Sequence, residues 1–174
     1  MIERDSGVEN DFFTFMLKVL PLWNYCQSVP FCGKYVFSWI ATFVAPYTGT
    51  IPFRIEKLDN TLCQAFMYHW FFVGNPFASV HAAALTNFGE MTQGFAMLAW
   101  AQGQKEEPRI IPTALNVVFL KKAKGTLRST CIVPNIASDA TETVVKTEIF
   151  NGSNELVCTV TGTWKLSIPI KKFQ

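Results

Sequence analysis

The side chains whose types and spacing could do chemistry fall mostly in one stretch, Asn75 to Trp100: NPFASVHAAALTNFGEMTQGFAMLAW. Between His81 and Lys105 a single ionisable side chain occurs, Glu90, set among alanines, phenylalanines, methionines and a tryptophan. Burying an unpaired carboxylate costs several kcal/mol unless the group is partnered or takes up a proton. A purely structural reading has Glu90 satisfied by Gln93, by Asn87 or across a subunit seam. A chemical reading makes it a poised acid or base. His81 stands near the start of the same predicted helix, where the first backbone amides (Val80 to Ala83) lack intrahelical partners and carry the positive end of the helix dipole. Such a corner can polarise a carbonyl or hold a developing oxyanion. The His81 ring has a plainer alternative, anchoring the helix through a loop hydrogen bond, and Asn75 before Pro76 could be an ordinary turn residue. The nine residues from His81 to Glu90 advance a helix by about 13–14 Å and turn it by roughly half a revolution. The two ends cannot meet within one chain. If both act on one substrate, a two-fold dimer with antiparallel helices must bring them together.

These residues need elements to hold them. Helical spacing covers Asn10 to Leu22, with Asn10 or Asp11 as cap and Pro21 as terminator. A second apolar segment, Phe31 to Val44, runs into APYTGT, where Pro46 and Gly49 mark a boundary. Residues 1–46 are thus expected as an N-terminal helical extension and residues 47–174 as the main domain. IPFRIEK and TLCQAFMYHWFF, separated by LDN, read as a strand hairpin that carries His69. NPFAS is a loop leading into a long helix, with Ser79 as its expected cap. Four strands follow: Ile110 to Lys121, Gly125 to Pro134, Glu142 to Phe150 and Glu155 to Leu166. FNGSN is the turn between the last two. A surface helix is polar on about half its circumference, and the long helix is not. The expected class is α+β, an antiparallel sheet wrapped around one enclosed helix.

Composition sets bounds on function. Across 174 residues, 49% are hydrophobic and 16% charged, with sixteen Phe and five Trp. That exceeds what a small monomer needs for its core and points to a subunit interface, an apolar ligand or a membrane surface. A net charge of +2 without an aromatic-interleaved basic stripe argues against nucleic acid. Five cysteines without CxxC and two histidines form no metal spacing and suit a reduced, intracellular, cytoplasmic setting. Glu3, Asp5, Glu9 and Asp11 argue against a cationic leader. Phe12 to Phe15 and Tyr35 to Val44 are the segments that could rest on a membrane or cap a pocket.

The pattern Asn75-x5-His81-x8-Glu90, between a strand hairpin and four strands, resembles the hotdog-fold acyl-CoA thioesterases related to the phenylacetate-pathway enzyme. Their motif reads roughly N-x5-H-G-G-A-L-x-x-L-A-[DE], and Asn75, His81, Ala84, Leu85 and Glu90 fall at matching positions. APYTGTI and LKKAKG also resemble a hotdog subgroup filed as a domain of unknown function. The resemblance spans about Pro46 to Leu166. It implies a dimer, or dimer of dimers, with a continuous sheet, and hydrolysis of an apolar acyl thioester in lipid metabolism, with no cofactor beyond the coenzyme A of the substrate. It assigns Glu90 as nucleophile or general base, the Ala82 amide as the group polarising the thioester carbonyl, and Asn75 as a positioning group. Lys121, Lys122, Lys124 and Arg128 fall where related enzymes contact coenzyme A phosphates; a solvated hairpin tip is the plain alternative. One departure matters: Ala82 and Ala83 replace two glycines, so a methyl stands where the thioester would lie. A non-catalytic acyl- or lipid-binding protein is therefore the second reading. A hydratase comes third, because His69 gives it poor support.

Overall fold

The computed structural model describes residues 18–167. Helix α1 (Val19–Gln27) and helix α2 (Gly33–Val44) come first, followed by a 3-10 turn at Thr48–Thr50. Strands β1 (Phe53–Leu58) and β2 (Leu62–Met67) form a hairpin, and a minute second hairpin, β3 (Gly74–Asn75) and β4 (Ser79–Val80), precedes helix α3 (Ala82–Gln102). Strands β5 (Arg109–Phe119), β6 (Leu127–Ile132), β7 (Glu142–Phe150) and β8 (Leu156–Ser167) complete the described residues. The main sheet has six strands in the order β1-β2-β6-β7-β8-β5, every neighbouring pair antiparallel. It curls around α3, which touches all six strands. This is the expected hotdog arrangement of α+β class.

The enclosure follows from what α3 offers its neighbours. Phe88, Ala96, Met97 and Ala99 are fully buried. Most of its buried polar groups are answered from the sheet: Thr92 Oγ1 lies 2.6 Å from Ser129 Oγ, Thr147 Oγ1 donates to Gly89 O at 3.2 Å, and Gln93 Nε2 donates to Val160 O at 2.5 Å. Trp164 Nε1 completes the Gln93 side chain from β8 at 3.3 Å. Two glycines make this proximity feasible. A Cβ at Gly89 would come 2.3 Å from Val160 Cγ2, and one at Gly162 would come 2.2 Å from Gln93 Oε1. At both points a side chain of the opposite element fills the space that a Cβ would take.

The first two helices cover one end of this assembly. Trp23 of α1 meets Phe37 of α2 edge-on at 5.1 Å, and Phe37 meets Phe95 of α3 at 5.8 Å. Helix α2 lies over β1, an edge strand. Ile55 N donates to Ser38 Oγ at 2.9 Å, and Glu56 pairs with both Lys34 and Arg54. The opposite edge, β5, is mostly exposed over its eleven residues. No helix among the described residues is long and apolar enough to cross a membrane.

Several boundaries differ from the sequence expectation. Pro21 sits in the first turn of α1 instead of ending a helix, since an N–H missing there would lack an intrahelical partner anyway. The expected cap at Asn10 or Asp11 lies outside the described residues. His69 is not on a strand, because β2 ends at Met67 and the chain turns away through Phe71–Val73. Ser79 is not the cap of α3; its backbone pairs with Asn75 in the β3–β4 hairpin, and His81 takes that place.

Candidate active site

The start of α3 is built by the loop before it. Asn75 Oδ1 accepts from Phe77 N (3.0 Å) and Ser79 N (3.2 Å), and Asn75 Nδ2 donates to Val80 O at 3.4 Å. Both ends of this amide are thus used to hold the NPFAS loop, in which Ala78 takes a left-handed φ of 53°. His81 then caps the helix: Nδ1 accepts from Ala83 N at 3.0 Å, so that nitrogen carries no proton. The ring anchors the helix, the plainer of its two readings.

Four amides were candidates for an oxyanion-binding corner, and the geometry leaves one of them. Val80 N donates to Ala123 O at 2.9 Å, His81 N to Val73 O at 2.8 Å, and Ala83 N to the His81 ring. The Ala82 N–H has no acceptor among the described residues. It lies in the wall of a cleft of about 410 Å³ shared with Asn75, Phe119, Leu120, Lys121 and Lys122. A donor at the positive end of a 21-residue helix, beside two lysines, is suited to an anionic or polarised oxygen.

The basic group divides. Lys121 and Lys122 stand at this cleft, with Lys121 reaching Glu155 at 2.7 Å on the exposed surface. Arg128 is engaged elsewhere, donating to Asn154 Oδ1 at 2.7 Å and covering the Phe150 ring at 5.2 Å. Lys124 is exposed on the same loop and does not line the cleft. The loop is tied to the segment before the helix by the Val80–Ala123 bond and to the end of β2 by His69 N donating to Gly125 O at 3.3 Å.

Glu90 occupies a different place. It is partly buried in the wall of a chamber of about 270 Å³ between α3 and the first two helices. Val19 and Leu22 come from α1, Phe37, Ala41 and Val44 from α2, and Ile110, Pro112 and Trp164 from the sheet. Glu90 is the one ionisable group in that lining, and Thr48 the one other polar side chain beyond the engaged Trp164 indole. Among the described residues it has no hydrogen bond or ion pair. The partners considered from sequence are committed elsewhere: Gln93 to Val160 and Trp164, Asn87 to Tyr47 O (3.3 Å) and Thr50 Oγ1 (3.2 Å). Burial pushes the Glu90 carboxyl above its ordinary value. The chamber and the Ala82 cleft share no lining residue. Within one chain, the carboxylate and the free amide do not meet.

Sequence reasoning missed the chamber and its residue Gly94, one turn beyond Glu90. A glycine inside a long helix weakens it by about 1 kcal/mol relative to alanine. That cost was the signal available.

Comparison with known proteins places the chain. Residues 33–166 match the family described as Domain of unknown function (DUF4442). No curated protein sequence matches. Among solved structures, the genomics target APC5556 is 26% identical with a TM-score of 0.75, over 88% of this chain and 99% of its own. A mutant of the thioesterase enzyme SAV0944 from Staphylococcus aureus is 18% identical with a TM-score of 0.60, over 70% and 98%. A hypothetical thioesterase protein from Streptococcus pneumoniae, solved with coenzyme A, is 16% identical with a TM-score of 0.57, over 67% and 86%. At these last identities the likeness is one of fold, and it agrees with the sheet and helix described above. The chain belongs to DUF4442, a family described as a domain of unknown function.

Proposed function

We propose that the protein is an acyl-CoA thioesterase acting on an apolar acyl group, with each site shared between two protomers. The observation that carries this reading is Glu90, an unpartnered carboxyl held above its usual range by burial in a wall that is otherwise almost wholly apolar. A carboxyl raised toward neutrality is suited to general-base work. In the reaction, Glu90 takes a proton from water as the water oxygen bonds to the thioester carbon. The carbonyl oxygen gains the negative charge and is met by the N–H of the partner's Ala82. Collapse of that intermediate breaks the C–S bond, and the proton on Glu90 leaves with the thiolate as free thiol. Lys121 and Lys122 would face the coenzyme A diphosphate at the mouth of the cleft, with Lys124 and Arg128 contributing only to the field around it.

The dimer is supported by β5, whose outer edge has no strand beside it among the described residues and which exposes Ile111, Leu115, Val118 and Phe119. A long apolar edge of this kind calls for a second strand. Coenzyme A bound to the pneumococcal protein supports the carrier. Purified protein should release free thiol from acyl-CoA, and Glu90→Gln should lower that release by at least 100-fold. Inactivity of the wild type at every chain length, or a fully active Glu90→Gln, would reject the proposal. The exposed methyls of Ala82 and Ala83 favour a second reading, an acyl-binding protein without turnover. It predicts a retained lipid in the denatured protein and no thiol release.

A further inference from the structure

Helix α3 contains two interior glycines of opposite character. Gly89 is required by packing, because its missing Cβ is replaced by Val160. At Gly94 a Cβ would meet no heavy atom within 4 Å. Nothing in the described chain uses the room that Gly94 leaves, and that room opens into the Glu90 chamber.

Gly94 also has a position relative to the carboxylate. Glu90, Gly94 and Leu98 stand at i, i+4 and i+8, one above the other on one face of α3, and all three line the chamber. The line from Glu90 to Leu98 is about 12 Å long. Gly94 is at mid-length on this line, and Phe37 and Ala41 of α2 and Ile110 of β5 line the same chamber. The chamber is therefore a run with the carboxylate at one end and hydrocarbon beyond it. An extended chain of single bonds advances about 1.1–1.2 Å per bond, so this length takes about ten or eleven bonds, a chain of about ten to twelve carbons. A short or aromatic acyl group would leave the Leu98 end unfilled.

We infer that the chamber binds an unbranched, medium-chain acyl group of about ten to twelve carbons, and that Gly94 sets the chain length by keeping the middle of the run open. Glu90 marks the thioester end and the helices α1 and α2 form the roof. This inference rests on the thioester reading for its orientation, but the binding of hydrocarbon does not depend on turnover.

The test uses the full-length protein, Gly94→Leu and Gly94→Ala. Binding of uncharged 1-alkanols from butanol to tetradecanol is measured by calorimetry, and hydrolysis is measured in parallel on acyl-CoA of four to sixteen carbons. In the wild type, alkanol affinity should climb about fourfold per methylene up to the predicted length and then level off. Gly94→Leu fills open space, so it should fold as the wild type does while weakening decanol at least tenfold and moving both optima to four to six carbons. Gly94→Ala adds one methyl, raises helix propensity and should trim the optimum by one or two carbons, which keeps the test available if the leucine variant fails to fold. Unshifted length profiles, or no alkanol bound at any length, would overturn the inference. A normal alkanol profile without wild-type hydrolysis would reject the thioesterase reading alone.

Discussion

At the scale of single residues, Glu90 is distinguished by what it lacks. Thr92, Gln93 and Asn87 on the same helix are each bonded to a named neighbour, whereas Glu90 faces hydrocarbon. This has a consequence for stability that is separate from activity. Burial raises the folded carboxyl above the ordinary value of 4.5, so as pH rises the unfolded chain releases this proton first. Between the two values the folded state holds more protons, and stability falls with rising pH. Above that window the full cost of the buried charge is present; below 4.5 it is absent. Gln does not titrate. Melting curves of wild type and Glu90→Gln should therefore coincide near pH 4 and separate toward neutral pH, with the variant the more stable. Each kcal/mol of relief raises Tm by about 2–4 °C in a chain of this size. If the wild type instead gains on Glu90→Gln as pH rises, the carboxylate has a stabilising partner and is a structural ion.

At the scale of elements, the start of α3 leaves one backbone donor free among the described residues. Ala82 is the first helical residue, and its N–H is the one amide of the four that stays free. Proline is favoured at that position and asks the preceding residue to be extended, as His81 already is with φ −64° and ψ 141°. Ala82→Pro should thus fold with an unchanged melting temperature and lose about 10²–10³ in kcat, the usual cost of an oxyanion donor. Ala82→Gly keeps the donor, removes the methyl and should be at least as active as the wild type. Equal activity of the proline variant would remove Ala82 from the mechanism. How legible these elements were depended on how local their causes are. Strand β7 runs from Glu142 to Phe150 as its alternation suggests, and the uniformly apolar α3 is enclosed. The cap was misplaced because Ser79 is drawn into pairing with Asn75, a partner that only the turn around Ala78 supplies. The chamber was invisible because Val19, Phe37, Ile110 and Trp164 converge from four distant segments, and no spacing in the chain records that. The four basic residues looked equivalent in sequence, yet Arg128 is turned aside by Asn154 and Phe150.

At the scale of the whole molecule, the separation of the two half-sites decides what an assembly must do. Glu90 and Ala82 open into different cavities of one protomer, so the proposed shared site needs a two-fold pairing that sets the carboxylate of each chain against the amide of the other. Mixing separates this shared site from a site complete within one chain. Glu90→Gln retains a working amide and Ala82→Pro retains a working carboxylate, and each homodimer lacks one of the two in both sites. After unfolding together and refolding at equal concentration, half the dimers are heterodimers, and each of those has one intact site of two. The mixture should recover about a quarter of wild-type activity from two nearly inactive parents, a gain that dilution below the dimer dissociation range removes. Recovery to that level needs the carboxylate and the amide to come from different chains, because no rearrangement of inactive monomers restores either group. Activity fixed at the average of the two parents would place both groups in one chain and reject the shared site.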